Sequence, residues 1–201
     1  MKRTYYTLTT RIEAGWNLPC QLKLTKTGVT GAIGPLVAHP SIWREAPHVT
    51  FANLAYGKPL TSIAVRGFIR EHGVVGTDKE PQVREEFEVS NLLFSYTQDS
   101  FRRVWREGKA SAVFFPAGAE DEDRYSLSLL RDPDGFALYP ANCLTYMRFL
   151  LARDLDEKRA RFCPNRTCKA PYFIGRTNQI FCSHKCASEE SVRRWRKKHA
   201  K

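Results

Sequence analysis

The sequence predicts a mixed α+β fold. A larger N-terminal part is joined by one helix to a small four-cysteine module that ends in a basic helix. Three observations predict it. Over roughly the first 140 residues, segments of β-type composition and turn residues alternate with helical periodicity. A single long amphipathic pattern then runs from 140 to about 159. Beyond it, four cysteines fall as C-x(4)-C-x(13)-C-x(3)-C at Cys163, Cys168, Cys182 and Cys186. The expected parts are a domain over 1–140, a connecting helix over 141–160 and a finger over 161–201. A chain of 201 residues can hold one ordinary domain plus such an appendix. Its 42% hydrophobic and 12% aromatic content excludes wholesale disorder.

The N-terminal part reads mainly as strand and loop to about residue 80. Residues 4–10, Thr-Tyr-Tyr-Thr-Leu-Thr-Thr, are of β type. Gly28, Gly31, Gly34 and Pro35 punctuate the next stretch, and residues 61–69 make a further strand candidate. From about Pro81 the pattern turns helical, with Val83, Phe87, Leu92, Leu93 and Tyr96 near helical spacing. Ser100 is placed to cap a short helix over 101–107 that Gly108 stops. Residues 112–115 and 125–130 read as two strands separated by the acidic loop 120–123. The turn Asp132-Pro133-Asp134-Gly135 then leads to a last strand from Phe136. In the connecting helix, Leu144, Met147, Leu151 and Leu155 share one face, with Arg148, Arg153 and Lys158 largely off it.

The cysteine spacing is that of a tetrahedral metal site. Each close pair supplies two thiolates from a tight turn, and the thirteen-residue insert folds back to join the pairs. The expected ion is one structural zinc. Four thiolates close the coordination sphere, so zinc catalysis is not expected. His184, between the second pair, is a lesser competitor as ligand, and Cys20 and Cys143 read as small buried residues. Within the insert, residues 170–174 and 179–181 are expected to pair as a hairpin. Phe173 and Phe181 then form a small core over the metal. Ser188 is the expected N-cap of the last helix, with Glu189 and Glu190 in its first turn. Val192, Trp195 and His199 share a face of that helix, where packing against the finger is the expected role of Trp195.

Charge separates the two parts. Residues 161–201 hold eleven Lys and Arg against two Glu, a balance of +9, out of +11 for the whole chain. Residues 1–160 therefore carry only +2. Arg193, Arg194, Arg196, Lys197, Lys198 and Lys201 place six cations in nine residues. Such a local field attracts polyanions, most often nucleic acid. The expected contacts are Arg176, Arg193, Arg194, Arg196, Lys197 and Lys198. Arg193 and Arg194, in the helix's N-terminal half, are the ones expected to read a base edge.

These residues resemble the prokaryotic CGNR-type zinc fingers, which form the C-terminal part of bacterial stress-response transcriptional regulators. The matching elements are Arg161-Phe162-Cys163-Pro164-Asn165 with Cys168, the aromatic Phe173, the Phe181-Cys182-Ser183 step, Cys186, and the basic tail with Arg193 and Arg194. They lie within residues 140–201; upstream, the likeness to the family's ABATE-type N-terminal domain is one of organisation. The family's Gly-Asn-Arg after the last cysteine is replaced here by Ala187-Ser188-Glu189, so contacts made by that Asn and Arg do not carry over. The resemblance implies a zinc-dependent, DNA-binding protein of transcription regulation.

Other classes receive no support from the sequence. His39, His48 and His72 show no ligand spacing, and no nucleophile elbow, phosphate loop or zinc-protease motif occurs, so an enzyme is not expected. No apolar run approaches the roughly 18 residues of a membrane span. The residues after Met1 lack an apolar signal core, and the clustered cysteines suit a reducing compartment, so a cytoplasmic location is expected. Residues 1–140 are expected to sense a ligand or to mediate association between copies. The alternative to nucleic-acid binding is a zinc-stabilised protein-interaction module.

Overall fold

A computed structural model describes residues 11–12, 15–38, 46–75, 86–109, 127–132, 135–140 and 142–200. The fold is mixed α+β, and the cysteine cluster and a final helix follow the last strands. Strands β2 (Gly15–Leu24), β3 (Gly28–Ala38) and β4 (Glu86–Ser90) form an antiparallel sheet in that order. In a second sheet, β6 (Gly135–Pro140) lies between β1 (Arg11–Ile12), to which it is parallel, and β5 (Leu127–Asp132), to which it is antiparallel. Of the expected strand at 125–130, the described residues 127–130 lie in β5, and its expected partner after Gly135 is present as β6, with Asp132 in register with Gly135. The expected strands at 4–10 and 112–115, the acidic loop 120–123, Val83, His39 and the centre of the 132–135 turn lie outside the described residues.

The glycines that suggested loop instead let strands approach. A Cβ on Gly28 would stand 2.0 Å from the Val89 carbonyl oxygen, so only glycine lets β3 lie this close to β4 there. Pro19 and two register shifts are tolerated because β2, among the described residues, is an edge strand of its sheet.

Residues 61–69 form a helix, not the expected strand. Helix α2 (Ser62–His72) follows α1 (Pro47–Asn53). The Thr61 hydroxyl accepts from the Ala64 amide as an N-cap, and Val65, Phe68, Ile69 and His72 turn to the core at i, i+3, i+4 and i+7. Their β-branched and aromatic composition hid that period. The single helix α3 (Asn91–Glu107) replaces the two expected segments. It is capped by Ser90, not Ser100, and Gly108 ends it at φ +70°. Phe87 lies in β4, while Leu92 and Tyr96 are exposed. The buried stripe is Phe94, Gln98, Phe101 and Trp105. Among the described residues, no helix is long and apolar enough to cross a membrane.

Phe51 of α1 is the hub of the core. Its ring meets Phe68, Phe94 and Phe101 at centroid distances of 5.3, 5.3 and 5.4 Å. The end of α1 is capped from α3. The Gln98 amide donates to the carbonyls of Phe51 and Leu54, and the Arg102 guanidinium donates to those of Ala52 and Leu54. These bonds satisfy carbonyls that the short helix leaves open.

Helix α4 (Cys143–Asp156) is the expected connecting helix, capped by Asn142. Met147, Leu151 and Leu155 are buried as predicted, but so are Arg148 and Asp154. The helix is thus wrapped on more than one side instead of lying with its charged face in water.

Two short strands, β7 (Ala160–Phe162) and β8 (Tyr172–Ile174), close the finger's base. They replace the expected pairing of 170–174 with 179–181. Phe162 is in register with Tyr172, and Gln179 is used instead to close a turn with Arg176. Tyr172 is 1% exposed and belongs to the main core, in ring contact with Tyr56, Trp105 and Phe162. Asn53, at the end of α1, donates to the Tyr172 carbonyl at 2.6 Å and accepts from its amide at 3.0 Å. Trp105 donates to the Arg161 carbonyl at 3.1 Å. The finger is therefore seated on the body by side chains of the body that bond its backbone on either side of the first cysteine.

Candidate metal centre and the helix it anchors

The sulfurs of Cys163, Cys168, Cys182 and Cys186 all lie within 4.8 Å of one another. Cys182 is 3.5 Å from both Cys168 and Cys186, far beyond the roughly 2.05 Å of a disulfide. Four thiolates at about 2.3 Å from one tetrahedral ion would stand about 3.8 Å apart, which this spread brackets. The donor set thus fits a closed four-sulfur metal site.

Local structure brings the sulfurs together. Cys163 is set by its amide, which donates to the Pro171 carbonyl, and Cys168 by a turn onto the Asn165 carbonyl. The second pair straddles the start of α5 (His184–His199). Ser183, not Ser188, is the N-cap, and its hydroxyl accepts from the Cys186 amide. That cap sits between the two cysteines, so forming the helix start and aiming the thiols are one event. Phe173, 8% exposed, packs with the cluster, and Phe181 covers it in part, as predicted. His184 is exposed, lies within 3.5 Å of Ser188, and is outside the cluster. Cys143 is buried as expected, whereas Cys20 is exposed on its edge strand.

Burial pushes the thiols of Cys168 and Cys182 up from the ordinary range. Cys186 goes the other way, to about 7, chiefly through the Asn165 side chain. Removing charged sulfur from water favours the proton, and a bound cation takes its place.

Asn165 entered the sequence reading as part of the family resemblance and without a role, yet it ties the first knuckle to the helix. Its amide donates to Glu189 at 2.9 Å, and its oxygen accepts from the Thr167 amide and hydroxyl. The Asn165 amide first, and then the Thr167 hydroxyl, which also donates to Glu189 at 3.1 Å, hold the Glu189 carboxyl below its usual range. Glu189 and Glu190 are thus not first-turn charges for the helix dipole. Glu190, 4% exposed, accepts from Arg193 at 2.6 and 2.8 Å and from Arg194 at 2.9 Å. Those bonds hold its carboxyl at about 2. The i+3 and i+4 spacing was the available signal for this triad.

The predicted nucleic-acid contacts therefore divide. Arg193 and Arg194 have guanidinium groups committed to Glu190. Arg196, Lys197 and Lys198 are exposed and make no ion pair among the described residues. Arg176 is exposed in the turn after β8, beside an open cleft that it lines with Glu157, Arg159 and Gln179. Residues 191–200 are all exposed, so the last turns of α5 stand in solvent. Trp195, 63% exposed, does not pack on the finger as the sequence suggested; its ring stacks on His199.

A buried pair lies under the finger's base. His48 of α1 and Asp154 of α4 are 3.0 Å apart and 2% and 1% exposed. Burial pushes the His48 imidazole below its ordinary value. Burial opposes the Asp154 carboxylate, but the His48 hydrogen bond, with Arg153 and Arg159 near, leaves its value lowered. The consistent state is a neutral imidazole donating from Nε2 to a carboxylate. His48 also stacks on Trp105 at 5.6 Å.

No protein-family model, curated protein or solved structure matches the chain.

Proposed function

We propose that the protein binds nucleic acid through α5, with one structural zinc ion at Cys163, Cys168, Cys182 and Cys186. The observation that carries this reading is the mounting of a cationic helix on a four-sulfur cluster. Cys186 lies in the first turn of α5, and Arg196, Lys197 and Lys198 follow on turns with no packing role. Four cysteine sulfurs favour zinc among the common ions, and a closed sphere assigns it a structural role. The module is too small to bury a core of its own beyond Phe173 and Phe181, so the ion supplies much of its folding free energy. Exposed cations held on a rigid scaffold neutralise phosphates without first losing the entropy of an ordered tail. In this reading Arg193 and Arg194 brace the helix through Glu190, and phosphate contact falls to the three cations beyond them.

The resemblance to CGNR-type fingers adds a bacterial transcription regulator working in the cytoplasm as the setting, with DNA as the target. The N-terminal part then serves as the sensing or association unit. The test is to purify the full chain with its metal, identify any nucleic acid that accompanies it, and measure affinity for that nucleic acid across salt. The reading predicts affinity that falls steeply as salt rises. Partner binding that strengthens with salt, with no nucleic acid retained, would favour the protein-interaction module.

A further inference from the structure

Trp195 is a large apolar ring left in water on the most cationic element of the chain. It is 63% exposed, and its ring contact among the described residues is with His199, one turn further on. The two ring centroids are 4.6 Å apart with 25° between their planes. The His199 Nδ1 lies 2.8 Å from the Trp195 carbonyl oxygen, so a proton on Nδ1 fixes the imidazole over the indole. The pair is a held, nearly parallel aromatic stack, not a loose side chain. Val192, 48% exposed, extends the same face by one turn toward the finger. The helical period puts this face roughly opposite Cys186 and Glu190, the residues of α5 that turn inward. Arg196 and Lys198 flank it.

We propose that the Trp195–His199 stack is a platform for unpaired bases, so that the nucleic acid taken by α5 is single-stranded. This rests on the reading of α5 as a nucleic-acid contact and narrows it to one class of strand. In a duplex the base faces are already stacked on one another, and a protein meets only edges and phosphates. An exposed indole therefore gains nothing specific there. In a single strand each base offers a free π-face, and an aromatic ring beside phosphate-binding cations is the arrangement that captures it. The charge of the same face favours this occupant over an apolar partner helix. Arg196 and Lys198 border the rings, whereas Lys197 falls on the opposite side of the helix, in line with Cys186 and Glu190.

The test uses the full, zinc-loaded chain and a labelled oligonucleotide of about 12 nucleotides, within the span of single-strand sites. It is offered as single-stranded DNA, as single-stranded RNA of the same sequence, and as the DNA duplex. Wild type, Trp195→Ala and Trp195→Phe are compared, with metal content measured for each. The expected result is tighter binding of either single strand than of the duplex. Trp195→Ala should then lose about 5-fold to 100-fold in single-strand affinity. It should keep its zinc, its salt slope and its duplex affinity, while Trp195→Phe recovers most of the loss. The two single-strand arms show whether the sugar matters to the platform. Equal losses on duplex and single strand, or no loss on either, overturn the platform and leave the nucleic-acid reading standing. Wild-type protein that binds no arm with a salt-dependent affinity overturns both.

Discussion

Asn53→Ala tests how the finger is tied to the body. The Asn53 side chain bonds the Tyr172 backbone twice, at 2.6 and 3.0 Å, in the way a neighbouring strand would. It also donates to the Val49 carbonyl at 3.0 Å. Each neutral bond contributes about 1 kcal/mol net, and a buried group left without a partner adds to the loss. Two bonds to a nearly fully buried residue therefore give a loss of about 2 kcal/mol. With a urea slope of roughly 2 kcal/mol per molar, that lowers the unfolding midpoint by about 1 M. The assay follows Trp fluorescence and release of zinc to a chromophoric chelator in one urea titration. Because Tyr172 sits in the main core beside Trp105, both signals should shift together by that amount. An unchanged fluorescence midpoint with earlier zinc release would refute the reasoning, since the finger would then be a separate unit.

Zinc should be present at about one ion per chain in protein purified without added metal, and Cys182→Ser should lose it, measured by elemental analysis. Full zinc occupancy in that variant would show that Cys182 is not a ligand. Stability should fall as pH drops below about 6.5, because the unfolded chain takes up a proton at His48 before the fold does. The lowered Asp154 value acts in the same direction further down, in the carboxylate range. His48→Gln, which keeps a donor for Asp154, should flatten the part of the profile between about pH 6.5 and the carboxylate range; an identical profile would remove His48 from the account.

The elements legible in the sequence are those whose signals are local. The four-cysteine cluster followed from spacing alone, α4 from an uninterrupted apolar stripe, and the strand pair around Gly135 from turn residues. What escaped depended on partners distant in the chain. The period of α2 was masked by Val65, Phe68 and Ile69, residue types that also suit a strand, and only Thr61 marked its start. Leu92 and Tyr96 drew attention away from Phe94 and Phe101 because hydrophobicity does not say which face is covered. Tyr172 looked like finger, but its pocket is made by Asn53, Tyr56 and Trp105, more than 60 positions upstream. The last helix was expected to start at Ser188, the better-looking cap. Ser183 takes the role because the helix must begin at the second cysteine pair for both thiols to face the cluster.

The most direct test is the salt dependence of nucleic-acid affinity for wild type and for the triple variant Arg196→Gln, Lys197→Gln and Lys198→Gln, both loaded with zinc. The three side chains are exposed and free of ion pairs among the described residues, so the variant should fold and keep its metal. If α5 is the contact, the slope of log affinity against log salt should fall in magnitude by about 2, from roughly 0.7 per phosphate contact on a single strand. Unchanged affinity and slope, with zinc retained, would contradict the claim that the metal-anchored helix binds nucleic acid.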